Sequence, residues 1–428
     1  EPTSSSTFNN TWNGLYSTLK SARIIINQCS EGGIDYGNFA TKGMAEVLAA
    51  YNCALIADMF GDAPCSQAAL VDENGSPVYL TPKMDKQEEI YTQAMQYLDD
   101  AIADLQKEDL IDPGAQDLLY QGDAEKWLKL AYGLKARYTM HLLKRSANKD
   151  ADMEKVLEYV DNSFESAEEQ AAFDVYDANN INPLYGFFVA RAGLGASESM
   201  RSKLAEYNDP RLSRAFITKQ GASGKEQAPG TADNAVYAPN GTPEQGTSKY
   251  GTSLFMYSIS APTLLLSYHE LKFLEAEALC RLERDAKSAL KDAVVAGLLN
   301  AENSFTISRK ELGKTLINAA SSITEAEAES YFDNTIEAKY TAEPLKTTMI
   351  QKYFALWGAS GEATESYNDV RRMKGLGENF IELKNPNSFP LRCPYGNSDT
   401  TTNAEVKAAY GNGQYVYSEN VWWAGGSR

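Results

Sequence analysis

The stretch MAEVLAAYNCALIADMFGDAP, residues 44–64, carries the pattern that decides the fold. Glycine and proline in its last four residues predict that a helix ends near residue 60. Before that point the apolar side chains recur at steps of three and four, which places them on one face of an α-helix. These residues are Met44, Val47, Leu48, Tyr51, Leu55 and Met59.

The same periodicity recurs further along the chain. One helix is predicted behind the segment DKQE at 85–88, which has capping-box spacing, another after Asp123, a third after Pro262, and a further one over 285–299. Paired amphipathic helices cannot bury their apolar faces alone and normally stack on neighbours. No 34-residue period persists over three copies, so the sequence predicts a mainly α fold of irregular, tetratricopeptide-like helical hairpins.

Two segments lack this periodicity and are rich in Gly, Asn, Pro, Ser and Tyr. They cover about 171–261 and 376–428, against a helical scaffold over about 1–170 and 262–375. Both are too long for ordinary connections, and their aromatic content favours ordered loops over disorder. The prediction is a single domain, 1–428, with loop-rich ligand-binding insertions. The segment DENG at 72–75 also predicts a turn that closes a short hairpin.

Charge and composition exclude several classes of function. The chain has 428 residues with 58 acidic and 40 basic side chains, a net charge of −18, which repels nucleic acid and anionic lipid. Its two histidines and five cysteines show no metal-binding spacing, so we expect no metal and no cofactor. The longest charge-free run, 250–269, contains Gly, Pro, Ser and Thr and predicts no membrane span. The missing methionine and signal pattern at the start indicate a trimmed or mature form.

Signatures of catalysis are also missing. The sequence has no G-x-S-x-G motif, and the GKT at 313–315 lacks the first glycine of a phosphate loop. His141 and His269 each lie on a helical pattern, where a structural role is favoured. Glu270, Glu275 and Glu277 lie close together, and ion pairing is favoured over a pair of catalytic carboxylates. We therefore interpret the chain as a protein without catalytic residues, although a two-carboxylate glycosidase stays open.

Aromatic residues give the positive signal. Tyr occurs 25 times and Trp five times, and many lie in the loop-rich segments beside Asn and Gly. A flat ring with a polar edge can stack on the apolar face of a sugar while amides and hydroxyls bind its hydroxyl groups. For any one ring, core packing is the competing explanation. The predicted ligand-binding residues are Tyr79, Tyr185, Tyr237, Tyr250, Tyr257 and Trp357.

A series of short motifs occurs in a fixed order over most of the chain, from Phe60 to Trp423. They include MFGDAP at 59–64, QEEIY at 87–91, GDAEKW at 122–127, NDPR at 208–211, LKFLEAEA at 271–278, QKY at 351–353, YNDVRR at 367–372, FPLR at 389–392, NAE at 403–405 and WW at 422–423. In this order they resemble the SusD/RagB-like outer-membrane nutrient-binding lipoproteins, and the SusD-like subgroup in particular.

The resemblance implies a surface-exposed lipoprotein of the Bacteroidetes outer membrane, held by a lipid anchor upstream of this chain. Such a protein captures oligosaccharide or polysaccharide for a polysaccharide utilisation locus and delivers it to a SusC-like TonB-dependent transporter. The alternatives are a peptide- or protein-binding lipoprotein of the same fold and, less favoured, an acidic glycosidase. The motifs themselves belong to the scaffold, and Asp369, Arg371 and Arg372 are predicted to hold the helices together by ion pairs.

Overall fold

Helices dominate the structure, as the periodicity predicts, and the strands are few and short. The computed structural model describes residues 8–191, 194–220, 225–230, 235–241, 249–360, 362–385 and 387–428. The chain divides into two compact units, and each is described in turn.

Unit 1 comprises Glu1–Phe164, Asn368–Glu378 and Ser388–Arg428. Helix α2 packs against α1, α3 and α4, and α4 also packs against α3 and α5. Helices that are neighbours in the chain are thus neighbours in space, as in arrays of helical hairpins. The helices are α1 (Asn9–Cys29), α2 (Phe39–Phe60), α3 (Gln87–Asp104), α4 (Ala124–His141), α5 (Lys149–Asp161), and, near the C-terminus, α14 (Asn397–Thr402), α15 (Ala404–Tyr410) and α16 (Tyr415–Ser418).

Helix α2 confirms the predicted helix but not its single buried face, because Leu48, Tyr51, Leu55 and Met59 are only half-buried whereas Glu46 and Asn52 are buried. It ends at Gly61, whose φ of +77° favours glycine, and a Cβ there would lie 2.7 Å from Nη1 of Arg392. By length and composition α2 could also cross a membrane, with a mean hydropathy of 1.2 over its most apolar window, which the sequence analysis did not anticipate. Within that window 78% of the residues are buried inside the protein, which is the burial of a core helix.

Unit 2 comprises Glu165–Tyr367 and Asn379–Asn387. Helices α8, α9 and α12 pack against one another, and α10 packs against α9. Their apolar core includes Phe255, Phe305 and Phe354, all almost completely buried. The helices are α6 (Pro183–Arg191), α7 (Glu198–Glu206), α8 (Tyr268–Arg281), α9 (Lys287–Leu312), α10 (Glu325–Tyr331), α11 (Glu337–Ala342) and α12 (Pro344–Ala355), while α13 (Ala363–Leu376) starts in unit 2 and ends in unit 1.

Two small antiparallel sheets complete unit 2. In the first, β1 (Ala171–Phe173) pairs with β5 (Thr263–Leu266). In the second, β2 (Phe216–Gln220) lies between β3 (Glu226–Pro229) and β4 (Thr252–Ser253). Most of these strands lie in the segment that the sequence predicts to be loop-rich. Its ordered loops are thus partly short strands and helices.

Two predicted helix starts are displaced. The helix expected after Pro262 begins only at Tyr268, because residues 263–266 form β5 and the side chain of Ser267 caps the helix by accepting from Glu270 N. At α3, Asp85 is not the cap, because its carboxylate binds the amides of Cys65 and Ser66. Asp62 instead accepts a 2.9 Å hydrogen bond from the amide of Gln87, the first residue of α3.

The predicted turn at 72–75 is confirmed. Val71 and Pro77 form an antiparallel bridge, and the Asp72 carboxylate accepts from the amides of Asn74 and Ser76. Gly75 adopts a φ of +76°, which glycine tolerates at no steric cost. This hairpin carries the first of the predicted ligand-binding tyrosines.

Candidate functional site

Asn182 fixes α6, the helix that carries the exposed ring of Phe187. Its side-chain oxygen accepts a 2.8 Å hydrogen bond from Leu184 N, which caps α6, and its amide nitrogen donates to Ala261 O at 2.8 Å. Its backbone amide also donates to Ile259 O at 2.8 Å. Because Asn182 is fully buried, these bonds hold the start of α6 rigidly on the loop that follows Tyr257.

We name the surface formed by Tyr185, Phe188 and Tyr257 the aromatic face, and α6 also carries Phe187. Phe187 is 51% exposed, while Tyr185 and Tyr257 are half-buried. The Phe188 and Tyr257 rings meet edge to face with centroids 5.2 Å apart. Phe187 on α6 is thus an exposed ring, while the rings of the aromatic face are held in place by their neighbours.

Polar groups border these rings. The Tyr257 hydroxyl accepts a 2.9 Å hydrogen bond from Nε2 of Gln227, and the Tyr185 hydroxyl donates to Oε1 of Glu311 at 3.1 Å. Burial and the nearby Glu311 carboxylate raise the pKa of Tyr185, so its phenol stays protonated at neutral pH. An apolar ring bordered by an amide, hydroxyls and a carboxylate has the two elements that bind a sugar: a stacking surface and hydrogen-bond partners.

Tyr237 and Trp357 form an inner layer. Both rings pack against Phe216, at centroid distances of 5.3 and 5.5 Å, and Trp357 also meets Phe255 at 5.1 Å. Both are partly buried against the apolar core of unit 2. These contacts favour a supporting role over direct stacking on a ligand.

Tyr250 is the remaining predicted tyrosine of unit 2. Its ring is half-buried, the ammonium of Lys249 lies 5.4 Å from the ring centroid, and Gly195 is its close neighbour. The structure brings Tyr185 near Tyr257, and it packs Tyr237 and Trp357 on the same ring, Phe216. Which of these rings touch a ligand stays a prediction.

In unit 1 the hairpin at 71–77 borders a cleft of about 390 Å³, which we name the hairpin cleft. Its volume lies within the range of small-molecule sites, roughly 300–1,000 Å³. Tyr79 lines it and is 44% exposed, next to Leu80, which is 85% exposed. Tyr16 and Lys20, one helical turn apart on α1, lie on another wall. The cleft has the same mixture of ring, apolar surface and polar edge as the aromatic face.

Asp85 anchors the chain that leads into this hairpin. Its carboxylate accepts from the amides of Cys65 and Ser66 at 2.8 and 2.7 Å, and Lys83 forms an ion pair with it at 3.0 Å. Burial alone would raise the pKa of Asp85, but the hydrogen bonds from Ser66 and Cys65 lower it overall. The ionised carboxylate therefore stabilises this loop at neutral pH.

Three groups singled out by the sequence have structural roles. Glu277 pairs with Arg281 at 2.8 Å and Glu275 pairs with Lys272, as expected for residues on one helix face, and Glu270 is fully buried. Asp369 pairs with Arg372 at 2.8 Å, which confirms the predicted ion pair. Arg371 donates to Oδ1 of Asn368 at 2.5 Å.

Sequence reasoning missed several surface residues. Phe187 and Leu80 are exposed, and Tyr16 reaches the hairpin cleft from α1. The segment NP at 182–183 followed by aromatic residues is a helix-start signal that could have pointed to Phe187. No local pattern distinguishes Tyr16 from a core residue of an amphipathic helix.

Comparison with known proteins agrees with this fold. The sequence profile of a family described as "Starch-binding associating with outer membrane", SusD-like_2, matches residues 3–395. The chain belongs to the SusD-like family. It is similar to a solved SusD/RagB family protein from Bacteroides thetaiotaomicron, with 67% sequence identity, a TM-score of 0.95, and coverage of 100% of this chain and 89% of that chain.

More distant SusD-like structures share the fold alone. A chitin-binding protein is 21% identical with a TM-score of 0.71, covering 97% of this chain and 87% of that one. A chitin-binding SusD homolog from Flavobacterium johnsoniae is 18% identical with a TM-score of 0.69, covering 98% of this chain and 88% of that one. A comparison with curated protein sequences found no match. The chain thus belongs to a family described as starch-binding and associating with the outer membrane.

Proposed function

We propose that this protein is a non-catalytic, cell-surface glycan-binding protein that captures oligosaccharide and delivers it to a SusC-like TonB-dependent transporter. The observation that carries the proposal is the set of rings on and beside α6, where Phe187 is 51% exposed and Tyr185 and Tyr257 offer hydroxyls at the aromatic face. Rings of this kind stack on the apolar face of a pyranose, and the bordering polar groups bind its hydroxyls.

The hairpin cleft supports the same proposal. Tyr79 and Leu80 are exposed on a loop that Asp85 holds in place, so the apolar surface is presented on a fixed backbone. Preorganised surfaces bind better because less conformational freedom is lost on binding. We propose that Tyr79 in unit 1, and Tyr185 and Tyr257 in unit 2, contact the ligand, with Tyr237, Tyr250 and Trp357 in supporting positions.

The net charge of −18 is compatible with a neutral ligand. A neutral oligosaccharide is not repelled by the acidic surface, whereas a polyanion would be. We propose that a lipid anchor upstream of this chain attaches the protein to the outer membrane. A lipid anchor does not depend on a basic surface, so it is compatible with the acidic charge of the chain.

Isothermal titration calorimetry against maltooligosaccharides and chitin oligosaccharides tests the proposal. These ligands are chosen because the family is described as starch-binding and because two of the structural neighbours bind chitin. We expect binding of one series by the intact chain, and release of no reducing sugar during the incubation. Binding of peptides without binding of any glycan would contradict the glycan proposal and favour peptide capture. Sugar release abolished by a single carboxylate substitution would contradict the non-catalytic part.

The transporter partner has its own test. Affinity purification of the full-length lipoprotein from detergent-solubilised outer membranes of the producing cell should recover a TonB-dependent channel in stoichiometric amount. Recovery without any such channel would count against delivery to a transporter and would leave glycan capture unaffected.

A further inference from the structure

Unit 2 contains a cleft of about 460 Å³ that shares no lining residue with the aromatic face. It lies among α7, the α11–α12 segment and residues 380–384. Four lysines line it, and we name it the lysine cleft: Lys203, Lys339, Lys346 and Lys384. This concentration of positive charge is unusual in a chain with a net charge of −18.

Two of these lysines have carboxylate partners. Lys346 lies 2.9 Å from Glu343, and Lys384 lies 2.5 Å from Glu382. Exposed pairs of this kind are screened by water and contribute little free energy, but they do neutralise the charge of each ammonium. With Glu206, which also lines it, the cleft holds four lysines and three glutamates, a net charge of +1, and Lys203 and Lys339 are its lysines without an ion-pair partner among the described residues.

Lys203 and Lys339 have no carboxylate within ion-pair distance among the described residues of the chain. Nζ of Lys203 donates to Oγ of Ser199 at 2.7 Å, and Nζ of Lys339 lies 4.5 Å from the centroid of the Tyr207 ring. Glu206, an exposed residue, also lines the cleft, and the carboxylates of Glu206 and Glu382 act on the Lys203 ammonium from beyond ion-pair distance.

Burial gives Lys203 an energetic need for an anion. Its side chain is half-buried, and this desolvation lowers the pKa of Lys203. Burial, with the nearby Lys384, outweighs the favourable effect of the Glu382 and Glu206 carboxylates on this ammonium, and an incoming carboxylate would recover part of the desolvation cost. Lys203 is therefore the group in this cleft that gains most from binding an anion.

The floor of the lysine cleft is apolar. Ile350 and Phe354 are buried, and Phe380 and Ile381 cover them in part. Ser199, Ser202 and Thr347 place hydroxyl groups on the same lining. A ligand that matches this surface carries one negative charge, an apolar face and hydroxyl groups. A uronic acid residue, a sugar whose C6 is a carboxylate, has all three.

We propose that the lysine cleft binds an acidic sugar of the uronic acid type, with its carboxylate neutralising Lys203 and Lys339. This goes beyond the capture of neutral glycans at the aromatic face, because it assigns a separate site and a charged ligand. The locally positive cleft also offsets the repulsion that the acidic chain as a whole exerts on such a ligand.

Calorimetry with digalacturonic acid and its neutral counterpart, galactobiose, tests the proposal. We expect the acid to bind the intact protein and K203Q or K339Q to weaken this binding at least tenfold, with further weakening as salt is raised. K310Q is the matched control, because Lys310 is exposed, lines none of the described clefts and removes the same charge. Equal binding by the K203Q/K339Q double variant, or equal binding of galactobiose, would overturn the proposal.

A labelling experiment on the unmodified protein removes any dependence on the folding of variants. Acetic anhydride acetylates neutral lysines, and the lowered pKa of Lys203 makes it reactive. Digalacturonic acid should protect Lys203 from acetylation while leaving Lys310 unprotected. The lack of protection at saturating ligand would contradict the proposal. Both experiments are independent of neutral-glycan binding at the aromatic face, so failure of one proposal is distinguishable from failure of the other.

Discussion

Nε1 of Trp423 donates a 3.0 Å hydrogen bond to Oδ1 of Asp58, joining two residues that are 365 positions apart in the chain. Both side chains are almost completely buried, and Tyr91 also donates its hydroxyl to the Asp58 carboxylate. The bond ties the C-terminal turn to the central helix α2 of unit 1. Because the carboxylate is removed from water, each of its donors is needed to offset the desolvation.

We expect Trp423→Phe to lower the free energy of unfolding by about 2–3 kcal/mol, because it removes a buried donor and leaves a small cavity. Urea denaturation followed by circular dichroism measures this. Trp422→Phe is the matched control, since Trp422 is half-buried and its indole nitrogen has no partner among the described residues. Equal losses in the two variants would show that the hydrogen bond to Asp58 contributes nothing measurable.

Glu46 should make stability depend on pH. Burial, and to a smaller extent the Asp104 carboxylate, raise the pKa of Glu46 to about 7, although Lys42 lies 3.2 Å away. Between about pH 4.5 and 7 the folded protein therefore holds a proton that the unfolded chain has lost, so stability falls as pH rises through this window.

Glu46→Gln removes this titration. Relative to the unmodified protein, the variant should gain about 1–2 kcal/mol of stability between pH 5 and pH 8, as measured by urea denaturation at both pH values. The control is Glu88→Gln, at an exposed position in the first turn of α3. A stability difference between Glu46→Gln and the unmodified protein that is the same at both pH values would contradict the assignment.

Phe187 should contribute binding energy without contributing stability, because its ring is 51% exposed. On the proposed function, Phe187→Ala should weaken glycan binding about 5- to 30-fold, which corresponds to about 1–2 kcal/mol for a stacked ring. The thermal midpoint should stay within about 2 °C. Tyr36→Ala, at a ring that is 52% exposed in unit 1 and lines neither surface, should leave affinity unchanged. A Phe187→Ala variant with unchanged affinity would remove this ring from the site.

Asn182 should affect both stability and binding. Asn182→Ala removes the cap of α6 and the hydrogen bond to Ala261 O, so we expect a loss of about 1–3 kcal/mol and weaker glycan binding at the aromatic face. A thermal melt of one aliquot measures the stability, and calorimetric titration of a second, unheated aliquot measures the affinity. The exposed Asn179→Ala is the control. Loss of stability with full glycan affinity would show that the position of α6 does not matter for binding.

We propose that the whole chain unfolds as one domain. Unit 1 is built from three separate chain segments and unit 2 from two, so the chain passes between the units four times and neither unit is a continuous stretch. Differential scanning calorimetry should therefore show a single transition with equal calorimetric and van't Hoff enthalpies. Two resolved transitions would contradict the prediction of a single domain.

The local sequence determined the helices and the family. Apolar spacing along 44–59 predicts α2, and the capping residue Asp123 predicts the start of α4. Both signals are local, because helical periodicity and a helix cap depend only on a few neighbouring residues. The ordered motifs indicated the SusD-like family, and they too are local signals. Most of them are short segments whose side chains are buried or paired within the same segment, as Asp369 is with Arg372.

Tertiary structure alone decided the positions of the binding surfaces. Nothing local to Asp85 shows that it binds amides of residues 65 and 66 in place of capping α3, and nothing local to Lys203 shows that α12 and residue 381 would form an apolar floor beside it. Exposure of a ring and the counter-charge of a lysine depend on groups that are distant in the chain. The sequence therefore determined which residues could bind a ligand, and the packing of remote segments decided which of them stay exposed to do so.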